Sequence, residues 1–156
     1  MDKTIYWRVI PDVIVISVHP DIPPSDEEWD SYLDEVVQHV NNVKGILVYS
    51  ESVGPSAPQR ARSNAAFKRA NAKVQTAIMT GSRMVRGIVT ALNWALGGKV
   101  KAFSTTDYAG AIDYLDLTNE EQLKARVVLK QLARSAGVTI GAFADESGTF
   151  RRKYGE

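Results

Sequence analysis

Cysteine is absent from this chain, which excludes disulfides, thiol nucleophiles and thiolate metal sites. Histidine is nearly absent. His19 and His39 are the only two, neither has a neighbour at metal-ligand spacing, and the expectation is no metal and no other cofactor. No apolar run approaches 18 residues, so no membrane-spanning helix is expected. The G-x-x-x-x-G-K-[ST] phosphate loop is missing, and so are any nucleophile elbow and any clustered acid/base pair near the basic stretch over residues 52–106. The largest absence is of negative charge. From Ser52 to Thr106 there is no Asp or Glu, while Arg60, Arg62, Lys68, Arg69, Lys73, Arg83, Arg86, Lys99 and Lys101 fall in that stretch.

The formal net charge of +1 hides this asymmetry. The first 51 residues carry ten acids against three bases, and the residues after Thr106 carry eight against seven. An acid-free basic segment points to a negatively charged partner. Phe67 is the lone aromatic in its most basic helix, and there is no Gly-aromatic RNA-binding signature, so nucleic acid is not the expected partner.

With 156 residues, 44% hydrophobic and 24% charged, the chain reads as one globular domain. A chain of this length buries roughly 68–70% of its unfolded surface and needs no covalent staple. An alternating strand pattern begins close to Met1, leaving no signal-peptide core, and the expected location is cytoplasmic.

Periodicity predicts strands over 4–10, 13–18, 45–49, 74–79 and 99–103. Ser25 and Glu28 form the pattern of a capping box opening a helix that ends near Asn41-Asn42. A proline-containing loop over 51–58 leads into a helix over 59–72, whose alanines (Ala61, Ala65, Ala66, Ala70, Ala72) suit close approach to a sheet. Thr80-Gly81-Ser82 turns into a third helix stopped by Gly97-Gly98. Thr105 or Thr106 is expected to cap a short fourth helix, and Thr118 with Glu121 a fifth that ends at Gly137. Val15, Ile16, Leu47, Val48, Ile78, Val89, Leu92 and Phe103 are the expected core, with Trp29 and Trp94 as packing residues. Strands alternating with helices imply an α/β domain with a mostly parallel five-stranded sheet opened by a hairpin, and about five helices.

That order, with Lys99-Val100-Lys101-Ala102-Phe103 followed by Thr105-Thr106-Asp107, Ala109, Ala111, Ile112, Tyr114 and Leu115, resembles the STAS domain, and within it the SpoIIAA-like, anti-sigma factor antagonist-like subgroup. The resemblance covers residues 4–117 within a domain expected over 1–137, with 138–156 as a partly flexible extension whose residues 151–156 form a loose tail. It implies a regulatory, non-catalytic module that binds a partner protein. It also implies a phosphorylatable serine near the helix after the third strand, where Ser52 and Ser56 stand; no Asp accompanies them.

Two sites follow for an anionic partner. Arg60, Arg62, Lys68 and Arg69 on the second helix are the candidate surface for an acidic partner protein, and reversing Arg60 and Arg62 is expected to abolish binding with the fold intact. Ser82, Arg83 and Arg86, at a strand-to-helix turn, are the candidate site for a small anion, nucleotide or lipid headgroup. Self-association through a sheet edge is a further expectation of this reading.

Overall fold

The computed structural model describes residues 3–95 and 99–144, with residues 91–95 described in backbone alone. The elements run β1 (Tyr6–Ile10), β2 (Ile14–His19), α1 (Asp26–His39), β3 (Gly45–Ser50), α2 (Ala57–Arg69), β4 (Gln75–Thr80), α3 (Arg83–Ala95), β5 (Val100–Phe103), α4 (Tyr108–Tyr114) and α5 (Asn119–Ala136), followed by a 3-10 turn at Gly141–Phe143. The five-stranded sheet has the order β1-β2-β3-β4-β5. β1 and β2 are antiparallel and every later pair is parallel. The α/β class, the mostly parallel sheet and its opening hairpin are as the sequence indicates.

The hairpin is made by Pro11-Asp12. Val13 N–H donates to Ile10 O at 3.0 Å, and Asp12 holds φ 65°. Proline at the first central position and a positive φ at the second are what a type II turn asks for. β1 begins at Tyr6, not Thr4, because the N–H groups of Thr4 and Ile5 are taken by the Glu28 carboxylate. This also corrects the expected capping box. Ser25 Oγ accepts from Glu28 N–H at 3.2 Å, but the Glu28 side chain ties down the start of the chain and does not return to its own helix.

Because the strand order never reverses, right-handed crossovers place α1, α2 and α3 on one face of the sheet. α4 and α5 cover the other. Alternation along each strand divides the side chains accordingly. Ile14, Ile16, Val18, Leu47, Tyr49, Ala77, Met79 and Phe103 face α4 and α5, joined by Ile140 and Phe143 from beyond α5. Val15 and Ile46 face α1, and Ile78, Val100 and Ala102 face α3.

α2 starts two residues earlier than the sequence reading placed it. Ser56 and Gln59 form a complete capping box, and Pro58 lies in the first turn, where a missing N–H costs nothing. It ends at Arg69, not Ala72, because Asn71 adopts φ 52° and closes the terminus with Ala72 N–H on Phe67 O. α4 is capped by Asp107, whose Oδ1 accepts from Gly110 N–H at 2.9 Å, and not by Thr105 or Thr106. The Thr118–Glu121 box and the Gly137 cap of α5 form as the sequence predicts. The Gly97-Gly98 stop, the side chains of Leu92 and Trp94, and residues 151–156 lie outside the described residues.

Candidate functional site: a cavity between the sheet and three helices

Alanine content suggested that α2 lies close on the sheet. It does not. Ala61 and Ala65 are exposed, and the inward face of α2 is Gln59, Ser63, Ala66, Phe67 and Ala70. α2 leans on α1 more than on the strands. An inward face this short, with one large apolar side chain, cannot fill the space over β3 and β4. The result is a cavity of about 150 Å3 between the sheet and α1, α2 and α3. Val48 and Ile78 border it, which is why both are only partly buried although they belong to central strands. Leu47 and Met79, on the opposite face, are completely buried.

One end of the cavity lies at the C-terminal ends of the strands. His19, the last residue of β2, is buried there, with its ring 5.6 Å from Tyr32 and 6.2 Å from Trp29. Its Nε2 shares a hydrogen bond with Ser17 Oγ at 3.0 Å, and Ser17 Oγ is 3.0 Å from Tyr32 OH. Burial pushes the His19 imidazole down to about 4, so it is neutral at physiological pH. Burial pushes the Tyr32 phenol up to about 12, against the opposing effect of its Ser17 bond. Trp29 Nε1–H donates to Ser63 Oγ at 3.0 Å, and Ser63 Oγ–H donates to Gln59 O at 3.0 Å. Gln59 in turn donates to Pro24 O and Asp26 Oδ1. This chain of bonds satisfies the buried polar groups and fixes the aromatic walls.

Ser17 beside His19 has the composition of a nucleophile and base, but Ser17 has no exposed surface and is not part of the cavity wall. Among the described residues no three His, Asp or Glu side chains converge as a metal site would require.

The cationic residues predicted from sequence are dispersed. Arg60 reaches the cavity wall, and its Nη1–H donates to Pro55 O at 2.9 Å. Arg62 is tied to Asp30 through Nε at 2.9 Å and to Asp26 through Nη2 at 3.2 Å. These bonds hold the Asp26 carboxyl below the usual range, with the Gln59 bond as the larger cause. Reversing Arg62 therefore sets three carboxylates together, so the Arg60→Glu, Arg62→Glu pair is not a neutral probe of a surface. Lys68 and Arg69 are exposed at the end of α2.

Ser82 is the N-cap of α3, its Oγ accepting from Val85 N–H at 3.2 Å. Arg83 is exposed, and Arg86 Nη2–H donates to Thr80 O at 3.3 Å. None of these three lines the cavity. Since the strand order does not reverse, there is no switch-point crevice beside this turn. Ser52 is buried, bonded to Ser50 Oγ and to Gly54 N–H, whereas Ser56 is exposed and caps α2.

Ser17, Tyr32, Ser63 and Gln59 escaped the sequence reading. Only Gln59 carried a signal, as the fourth residue of Ser56-Ala57-Pro58-Gln59. No protein-family model, curated protein or solved structure matches the chain. No helix among the described residues is long and apolar enough to cross a membrane.

Proposed function

We propose that this chain is a non-catalytic binding module that takes a small, largely apolar molecule between its sheet and α1, α2 and α3. The cavity carries this reading. Protein interiors leave few voids larger than a water molecule. A chain that retains such a space, walled by Trp29, Tyr32 and Phe67, gains most when the space is filled. Cavities of about this volume with apolar walls take up benzene while excluding water. The non-catalytic reading is supported by the enclosure of Ser17, which keeps its hydroxyl away from the cavity. The STAS-like element order agrees with it.

The test is thermal unfolding with toluene as the probe. At a hundredfold excess over Kd, a ligand adds about 2.7 kcal/mol, which raises the melting temperature by roughly 5–10 °C for a domain of this size. Ile78→Phe, which places a ring in the cavity, is expected to fold and to lose the response. Equal responses in the two proteins, or none in either, would refute the reading.

A regulatory role through an acidic partner protein is the second reading. Lys68 and Arg69 at the end of α2 and Lys73 in the loop after it, all exposed, favour it. Arg60 and Arg62 contribute less to that surface, since both are engaged within the fold.

A further inference from the structure

We propose that the cavity's ligand is a carboxylate anion with a body no larger than one aromatic ring or a short acyl chain, and that Arg60 holds its charge. The inference rests on the binding reading above and supplies the head group.

Two charged side chains line the cavity among the described residues, and both are cations: Arg60 and Lys99. No acid lines it. A ligand carrying a negative end is attracted at either limit of the space, and an ammonium at neither.

The two cations are not equivalent. Lys99 is exposed, so solvent screens it. Arg60 is half-buried and held in one orientation by its bond to Pro55 O. A guanidinium fixed through one nitrogen keeps its remaining donors aimed, and so loses less entropy when it grips a carboxylate. Asp26 and Asp30, on the facing helix, are both occupied by Arg62. Arg60 itself has no carboxylate partner among the described residues.

Pro55, which Arg60 bonds, lines the cavity together with Gly54, Ser50 and Ser63, and His19 adds hydrogen-bonding capacity without charge. Gly54 stands at φ 89°, with Val85 and Ile88 at 3.3 Å from where a Cβ would lie, so this loop is closed tightly over α3 and keeps Arg60 in place. The volume sets the body. About 150 Å3 holds one ring. Edge-to-face rings at Trp29 and Tyr32 suit an aromatic guest.

The experiment uses three probes with one ring and different charge: phenylacetate, 2-phenylethanol and 2-phenylethylammonium. Each is titrated calorimetrically into the full chain, with the Trp29 indole proton reporting occupancy. Wild type is expected to bind phenylacetate about tenfold to a hundredfold more tightly than the alcohol, and the ammonium most weakly. Arg60→Gln is expected to bring phenylacetate down to the level of the alcohol without changing the alcohol. Lys99→Gln is expected to leave the preference nearly intact. Should the glutamine variant fail to fold, Arg60→Lys keeps the charge, loses the fork, and is expected to retain part of the preference.

Equal binding of acid and alcohol by wild type overturns the inference and leaves the cavity reading standing. Loss of the preference in Lys99→Gln but not in Arg60→Gln, or a full preference retained in Arg60→Lys and Arg60→Gln alike, also overturns it. Failure of all three probes to bind removes the cavity reading together with this one.

Discussion

His19 links the site to pH. Its neighbours Ser17 and Tyr32 are uncharged across the physiological range, so burial alone sets its protonation. The folded imidazole titrates near 4, below the ordinary 6.5 of the unfolded chain. As pH falls, the unfolded chain takes the proton first. The stabilising contribution of neutral His19 is therefore complete above about pH 6.5 and declines toward pH 4. The expected loss between pH 7 and pH 5 is about 2 kcal/mol, measured by denaturant titration. His19→Asn is expected to flatten that dependence. Asp26 and Glu121 are both shifted downward by hydrogen bonds, so their contribution is lost as pH falls through and below the ordinary carboxylate range and changes little between pH 7 and pH 5. A wild-type stability that does not change between pH 7 and pH 5 would show that the ring reaches water.

At the scale of elements, two features hold the helices around the cavity. The Glu28 carboxylate accepts from Thr4 and Ile5 and so ties α1 to the start of β1. The Ser56–Gln59 box sets the start of α2, and Gln59 extends it to Pro24 and Asp26. Ser56→Ala is expected to cost about 1 kcal/mol. Glu28→Ala is expected to cost about 1–3 kcal/mol by leaving buried backbone donors unpaired. Hydrogen exchange separates them: Glu28→Ala should speed exchange at Thr4 and Ile5, and Ser56→Ala at the first turn of α2. Uniform acceleration through the whole sheet in either variant would contradict this local account. The element order was legible because strands such as Val-Ile-Val-Ile-Ser-Val and caps such as Thr118-x-x-Glu121 are local patterns. The ends of α2 were not. Its start lay inside a stretch whose prolines read as loop, and its end depended on one left-handed asparagine.

For the whole molecule, the sequence indicated a sheet covered on both faces but not that one cover is incomplete. Alanine count predicted close packing of α2. The helix turns two of those alanines to solvent and presents Ser63 and Gln59 inward, and no composition reveals which face a short helix buries. Of the cations in the acid-free segment, Arg60 and Lys99 line the cavity. Charge count did not distinguish Arg60, which reaches the cavity, from Arg62, which is paired with acids 32 and 36 residues earlier in the chain. The molecule thus has two unlike halves: a solid core under α4 and α5, and a hollow one under α1, α2 and α3. The most direct test of that asymmetry is a methyl and indole NMR titration of the full chain with phenylacetate. The account predicts saturable shifts at Trp29, Val48 and Ile78, with Leu47, Ala125 and Leu129 unmoved. Shifts centred on Leu47 and Leu129, or none at Trp29 and Ile78 at millimolar probe, would contradict it.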